Sequence, residues 1–177
     1  MKVLETYFDK AFLLETPLFE SCRGTMQNVF SEEAFREAGI DLTIRDLRTY
    51  VMPKTGTFFG IHYYDEKTPV NRILTLSAGR GMDYLIDLRP DSPTYLQWVS
   101  YELSAENHRV VYIPYGIGHA FISLAENTIQ VYATDAVGGM GITRQLNYQE
   151  KKIGLALPVP ITAIVEYDVN APFLPDA

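Results

Sequence analysis

Apolar and polar side chains alternate over many short stretches of the chain, a period-two pattern that is typical of β-strands. The stretch DYLIDLR shows it most clearly, because Tyr84, Ile86 and Leu88 share one face and the two aspartates lie on the other, which predicts a sheet with one buried face. Further strands are predicted at residues 95–103, 109–113, 120–124, 128–134 and 161–167. Since Gly, Pro and Asn separate these short strands at close spacing, the sequence predicts an all-β sandwich or jelly-roll barrel.

The N-terminal part combines strands, a turn and one short helix. Residues 1–20 predict two short strands, and the turn that follows leaves Arg23 exposed or pointing into a pocket. The helix has Ser31 as its N-cap, two glutamates in its first turn and Gly39 as its stop, so we expect it to end near Ala38.

No internal repeat, low-complexity tract or linker divides the 177 residues, so we expect a single domain. Its N-terminal strands and helix occupy residues 1–40, a jelly-roll core covers about 41–168, and an extended tail over the surface follows in 169–177. The glycine-rich residues 138–141 precede no helical pattern and therefore predict a loop, not a dinucleotide cradle.

The composition limits the classes of function. A formal net charge of −7 argues against a nucleic-acid surface, which needs clustered Lys and Arg. The single cysteine, Cys22, cannot form an internal disulfide and is typical of a reducing compartment. No apolar run approaches the roughly 20 residues that a membrane-spanning helix needs, and no apolar signal core follows Met1. We therefore expect a soluble, cytoplasmic protein without a membrane or nucleic-acid partner.

Two histidines lie in apolar, strand-like surroundings. Pro114, Gly116 and Gly118 interrupt an apolar run and predict a tight turn between two strands, which would aim the following His119 at one fixed place. His62 lies in similar company in the stretch FFGIHYY. A satisfied core histidine at a hairpin is an equally open interpretation of the first stretch taken alone.

A metal site would have to use His62 and His119 with a carboxylate, because the remaining histidine, His108, falls in a polar turn. Small metal-binding barrels usually carry a His-x-His pair, and Tyr64 stands at the position of the second histidine. We therefore expect no metal.

Acid–base chemistry is the remaining catalytic interpretation. A histidine on a barrel wall, oriented by a carboxylate, can abstract a proton next to a carbonyl, and the enolate that forms needs a cation or hydrogen-bond donors at its oxygen. Arg72 is a candidate for that cation because it begins an otherwise apolar strand. An arginine at a strand start with its head in solvent is an equally open interpretation.

Several motifs, in the same order and over nearly the whole length, resemble those of the dTDP-4-dehydrorhamnose 3,5-epimerases, members of the cupin superfamily. The similar segments are Arg23-Gly24; Gly60-Ile61-His62-Tyr63; residues 83–89 with Asp91-Ser92-Pro93-Thr94-Tyr95 and Trp98; Ile113-Pro114, Gly116, His119 and Phe121; and Tyr167-Asp168 with Ala171-Pro172 and Leu174.

The resemblance implies a cupin-type jelly roll with one or two short helices that works as a homodimer without a cofactor. It implies a substrate in which a nucleotide diphosphate carries a 4-keto-6-deoxyhexose. By the same resemblance, His62 is the base and Asp168 its partner. Arg72 stands where the family has an enolate-stabilising lysine, His119 contacts the substrate, and Arg23 reaches the diphosphate.

The sequence also departs from the family pattern. Phe59 replaces an arginine of the family, Leu47 and Thr49 replace a Gln and an Asn, and a glutamate after the Arg-Gly motif falls near Asn28. The family's general-acid tyrosine is expected after Thr134-Asp135, where Ala136-Val137 follow. Tyr132, Tyr148 or water would then have to act as the acid. Arg72 in place of the family's lysine presents its positive charge as a planar guanidinium instead of a compact ammonium group.

Three hypotheses follow from the sequence. The chain is an epimerase for a keto-sugar nucleotide, acting at one or two carbons; or an isomerase that moves the ketone within the same pocket; or a barrel that binds a sugar nucleotide without turnover.

Overall fold

A computed structural model describes residues 1–136 and 143–175 of the chain. Within them, strands and helices follow in the order β1 (Lys2–Tyr7), β2 (Ala11–Glu15), β3 (Leu18–Ser21), β4 (Gly24–Gln27), α1 (Glu32–Glu37), β5 (Asp46–Met52), β6 (Phe58–Tyr63), β7 (Arg72–Ala78), β8 (Arg80–Asp87), β9 (Trp98–Ser104), β10 (Arg109–Ile113), β11 (Ile117–Ser123), β12 (Thr128–Thr134), β13 (Arg144–Leu146) and α2 (Glu166–Val169). The loop predicted at residues 138–141 lies outside the described residues.

The strands form two main sheets and one small hairpin. A six-stranded sheet has the order β1-β2-β10-β7-β12-β5, a five-stranded sheet has the order β13-β6-β11-β8-β9, and β3 pairs only with β4. All pairings between these strands are antiparallel. This topology is the jelly-roll barrel that the sequence predicted.

The inner faces of the two sheets meet in one apolar core. Leu74 and Leu76 of the six-stranded sheet pack with Leu85 and Phe121 of the five-stranded sheet, and all four are at most 2% exposed. Burial of this apolar surface is the main force that holds the sheets together. Arg72, His119 and Asp83 are buried polar residues at this interior, so the core is not apolar throughout.

Further segments cover part of the outer face of each sheet. The predicted helix is confirmed: the Ser31 side chain accepts a hydrogen bond from the Ala34 amide at 3.4 Å, and Gly39 follows the helix with φ +80°. Phe35 of α1 packs on the outer face of the six-stranded sheet, in a cluster that includes Ile73 of β7.

The prediction that the sheet around β8 has one buried face is wrong, because both faces are buried. Asp83, Leu85 and Asp87 on the inner face are 0% exposed, and Tyr84 and Ile86 on the outer face are at most 1% exposed. The segment between β13 and α2 covers them, and the Tyr84 hydroxyl donates to the Ala156 carbonyl at 3.0 Å. The strand predicted at residues 161–167 is also wrong. A single bridge joins Ala163 to Thr57, and α2 follows.

The C-terminal segment is fixed to the sheet by Asn147. Its side-chain amide donates to the carbonyls of Val169 and Ala171, at 3.1 and 3.0 Å. These bonds hold α2 against β6, where it reaches the barrel interior. In the part of the chain that the structure describes, no helix is long and apolar enough to cross a membrane.

Candidate active site

The two histidines singled out in the sequence are cross-strand neighbours. His62 of β6 is the register partner of His119 of β11. The His62 side chain is 21% exposed and that of His119 is 8% exposed. The sheet therefore places two imidazoles side by side at the edge of the barrel interior.

His62 is held by Asp168 of α2. Its Nε2 lies 2.6 Å from Oδ1 of Asp168, and the other carboxylate oxygen accepts the Gly60 amide at 2.9 Å. Among the described residues, no hydrogen bond involves Nδ1 of His62. A carboxylate at Nε2 fixes the tautomer that leaves Nδ1 as a proton acceptor, and it stabilises the imidazolium that forms.

A β-bulge in β6 makes room for this carboxylate. The register of β6 against β11 shifts between His119 and Phe121, which gives β6 one extra residue at Gly60-Ile61. A Cβ on Gly60 would lie 2.9 Å from Cγ of Asp168. Glycine at this position is therefore a steric requirement of the His62–Asp168 pair.

His119 has a carboxylate partner of its own. Its Nε2 lies 2.6 Å from Oδ1 of Asp83, and the Tyr101 hydroxyl donates to Oδ2 of Asp83 at 2.9 Å. Burial and the Asp83 charge raise the pKa of Tyr101 well above its ordinary value, so the phenol stays a donor. The sequence analysis missed Asp83 as the partner, although the alternation in β8 already placed it on the same face as Asp87.

Arg72 is a buried cation. It is 1% exposed, and its Nη1 and Nη2 donate to the backbone carbonyls of His62 and Ile117, at 3.3 and 2.9 Å. Within residues 1–136 and 143–175 no carboxylate forms an ion pair with it, and its buried Nε has no hydrogen-bond partner. The interpretation of Arg72 as a solvent-facing strand start is wrong, because its guanidinium points into the barrel.

Tyr132 lies beside Arg72 on the inner face of the six-stranded sheet. It packs against the core that Leu74 and Phe59 share. Burial raises the pKa of Tyr132 to about 12, although the positive charge of Arg72 acts in the opposite direction. The hydroxyl is therefore protonated at neutral pH.

Tyr148 lies elsewhere. Its ring makes an edge contact with Phe58, 5.2 Å between centroids, in the outer cluster of the five-stranded sheet. Since His62 faces the interior, the sheet separates Tyr148 from it. Of the two tyrosines considered for proton donation, the structure brings only Tyr132 to the barrel interior.

The remaining candidates fall into two groups. Arg23 is exposed near the tip of the β3–β4 hairpin, which within the described residues pairs with neither main sheet. Leu47 and Thr49 lie on the outer face of β5, since their register partners are Ala133 and Val131, whereas Phe59 lies on the inner side. No sequence signal had indicated the Gly60 bulge.

Two carboxylate-paired imidazoles, a buried guanidinium without a carboxylate partner in the described chain and a protonated phenol surround one end of the barrel interior. They can remove a proton from a carbon acid, stabilise the resulting anion and return a proton. The fold and this site define a jelly-roll barrel with an acid–base centre. Comparison with known proteins identifies it further.

The chain belongs to the dTDP-4-dehydrorhamnose 3,5-epimerase family, whose family model matches residues 5–176. It is 31% identical to the dTDP-4-dehydrorhamnose 3,5-epimerase of Sinorhizobium fredii over 176 residues, which cover 96% of this chain and 90% of the relative. The family consists of dTDP-sugar epimerases, so the chain is an enzyme of the epimerase class.

Solved structures show the same cupin-type fold. The dTDP-4-dehydrorhamnose 3,5-epimerase of Bacillus anthracis, with TDP and PPi bound, superposes with a TM-score of 0.92 at 29% identity and covers 98% of this chain and 99% of its own. A 3'-monoepimerase from Streptomyces bikiniensis in complex with dTDP-quinovose gives a TM-score of 0.83 at 28% identity, over 92% and 83% of the two chains.

Proposed function

We propose that the protein epimerises a 4-keto-6-deoxyhexose carried by a nucleotide diphosphate, at a carbon next to the ketone. The observation that carries this proposal is the His62–Asp168 pair at 2.6 Å. Solved relatives with TDP or dTDP-quinovose bound support a nucleotide-sugar ligand.

His62 is the proposed base. Its Nδ1 takes the proton from the carbon next to the ketone, the C–H electron pair forms the enolate, and Asp168 stabilises the imidazolium. Arg72 is proposed to stabilise the enolate oxygen, because a buried guanidinium with an unpartnered Nε attracts a developing anion strongly. His119, fixed by Asp83, is proposed to contact the substrate.

Tyr132 is the proposed acid on the opposite face of the sugar. It comes from β12 of the six-stranded sheet and His62 from β6 of the five-stranded sheet, so the two groups approach from opposite walls of the barrel. Epimerisation needs this arrangement, because the proton leaves one face of the carbon and returns to the other. Tyr132 gives its proton to the carbon as the enolate returns to the ketone. The tyrosinate then recovers a proton from solvent, and the His62 imidazolium releases its proton to solvent.

The spacing of the two residues supports this assignment. A solved double mutant of the Streptomyces bikiniensis monoepimerase carries His→Asn and Tyr→Phe substitutions at positions that are 70 residues apart. His62 and Tyr132 have the same separation. Isomerisation would instead place base and acid on one face of the sugar, so opposite walls favour epimerisation.

Arg23 is proposed to bind the diphosphate, and the protein is proposed to be a homodimer. Exposed apolar side chains occur on the hairpin, where Phe19 and Met26 are 54% and 61% exposed, and on the outer face of β5, where Leu47 and Val51 are 64% and 63% exposed. Pairing of two copies would remove these surfaces from water. Sedimentation of the Leu47→Glu variant tests the dimer.

The Arg23→Ala variant tests the diphosphate contact, and we expect it to raise KM without lowering kcat.

The first experiment is deuterium incorporation into dTDP-4-keto-6-deoxyglucose in heavy water, followed by NMR. We expect uptake at C3, C5 or both, and its loss in His62→Asn. The matched control is His108→Asn, because His108 lies in a turn with φ +53°, which asparagine tolerates. Unchanged exchange in His62→Asn would overturn the proposal, and a ketone moved to C3 would favour the isomerase instead.

A further inference from the structure

One face of the His62 ring is covered by Tyr167. The two ring centroids are 5.9 Å apart and the ring planes differ by 29°, which is a stacked arrangement. Tyr167 precedes Asp168 in α2, so a single turn of helix contacts both the edge and the face of the imidazole. The Tyr167 side chain contributes little to the core, since 54% of the residue is exposed.

The bond to Asp168 alone does not fix the imidazole completely. A hydrogen bond at Nε2 restrains the ring at one atom only, and a turn about the Cβ–Cγ bond moves the ring at the cost of lengthening that hydrogen bond. Such rotation swings Nδ1 away from its target atom. A second ring against the imidazole face opposes the rotation, because any swing breaks the contact between the two ring surfaces.

Further rings stand next to Tyr167. The Tyr50 ring meets Phe59 edge-on with centroids 5.2 Å apart. Partial burial raises the pKa of Tyr167, and the charges of Asp168 and of an ionised Tyr50 raise that pKa further. Its hydroxyl is therefore uncharged at neutral pH, and an acid–base role is not needed to explain its position. The polar groups of the site, Arg72 and Tyr132, belong to the other sheet.

We propose that Tyr167 is a positioning residue that holds the His62 imidazole by stacking, so that Nδ1 stays aimed at the substrate carbon. The proposal rests on the assignment of His62 as the base. It assigns the effect to the aromatic ring of Tyr167 and none of it to the hydroxyl, which separates this role from proton donation.

The test compares Tyr167→Phe with Tyr167→Ala in the full chain. The phenylalanine variant keeps the stacked ring, so its rate of deuterium exchange should stay within about twofold of the parent. The alanine variant should lower kcat by about tenfold with little change in KM, because misaimed reacting atoms slow the chemical step more than binding. Both variants should unfold at nearly the parent temperature, since the side chain is largely exposed.

A second measurement does not depend on turnover. In protein labelled with nitrogen-15 histidine, the three imidazoles give few resonances, and His62→Asn identifies those of His62. We expect the same Nδ1-unprotonated tautomer of His62 in the parent and in both variants, because Asp168 still fixes it, and exchange broadening of the His62 Nδ1 resonance only in Tyr167→Ala, where the ring is free to turn. An alanine variant with unchanged kcat and unchanged spectra would overturn the proposal, as would a phenylalanine variant as slow as alanine. If the parent catalyses no exchange, the proposed function fails, and the spectra still decide whether Tyr167 orders the ring.

Discussion

The carboxylate of Asp168 occupies the space in which any residue other than glycine at position 60 would place its Cβ. The Gly60 amide donates to Oδ2 of Asp168 at 2.9 Å, while a Cβ would approach Cγ to the same 2.9 Å. The Gly60 backbone therefore binds the Asp168 carboxylate at the place where a side chain on residue 60 would collide with it. The His62–Asp168 pair depends on this close approach.

Gly60→Ala should therefore damage the site directly. The added methyl pushes Asp168 away from His62, and a displacement of about 1 Å in a catalytic group lowers the rate by about 100-fold. Deuterium exchange into the keto sugar measures this loss. The control is Gly154→Ala, which sits at φ +63° with its nearest contact at 3.8 Å and so costs about 1 kcal/mol of backbone strain away from the site. Equal exchange rates in the two variants would contradict the steric requirement.

Arg72→Met should separate activity from stability. A buried charge without a carboxylate partner costs desolvation energy, so methionine of similar length should leave the free energy of unfolding unchanged or raise it by about 1–4 kcal/mol. Exchange should nevertheless fall by about 100-fold or more, since the enolate loses its cation. Urea unfolding and exchange are measured together. Arg80→Met, at a side chain that is 55% exposed, is the control and should change neither. Full exchange activity in Arg72→Met would show that the guanidinium is not the enolate partner.

Tyr132→Phe should uncouple proton removal from inversion. His62 can still abstract a proton and return a deuteron on the same face, so label should enter with retention of configuration. Formation of the epimer should fall by about 100- to 10,000-fold, the usual range for loss of a general acid. NMR of the recovered sugar reports both quantities. Tyr148→Phe, on the outer face of the sheet, should behave as the parent, and a slower epimerisation there would contradict the assignment.

Stability should decrease at alkaline pH because of buried tyrosines. Burial raises the pKa of Tyr84 from 10.0 to about 12, so above pH 10 the unfolded chain loses a proton that the folded chain keeps. The free energy of unfolding contributed by this group is complete below pH 10. It then falls by about 1.4 kcal/mol per pH unit until about pH 12. Urea unfolding at several pH values should show a shallower decrease in Tyr84→Phe than in the parent. Identical slopes would mean that another tyrosine, such as Tyr112, dominates.

Much of the fold followed from local patterns. The strands β8 and β12 and the caps of α1 are determined by neighbouring residues, and the structure confirms these elements. Helix α2 was not predicted, because it has four residues and no side-chain cap at Val165, and its sequence alternates like a strand. The cover over Tyr84 was also missed, since a segment without regular structure leaves no periodic signal.

The sequence predicted those site residues whose side-chain type alone suggests acid–base chemistry or charge stabilisation. A histidine within an apolar strand is recognisable from the local sequence. The inward direction of Tyr132 is not, because it depends on the register of β12 against β7. Tyr132, which the sequence offered only as one alternative to a tyrosine after Thr134-Asp135, faces the interior from a position two residues before Thr134. The bulge at Gly60 arises from the pairing of distant strands and is invisible in the local sequence.

His62, the proposed base, and its partner Asp168 come from elements that are far apart in the sequence. All thirteen strands found in residues 1–136 and 143–175 precede α2, and Asp168 lies 106 residues after His62. During synthesis, the strands and both site histidines are therefore made before Asp168. With His62 as the proposed base, efficient proton abstraction requires α2 to be docked against β6, so exchange activity reports that docking, and a variant truncated before residue 166 should keep His62 without its carboxylate.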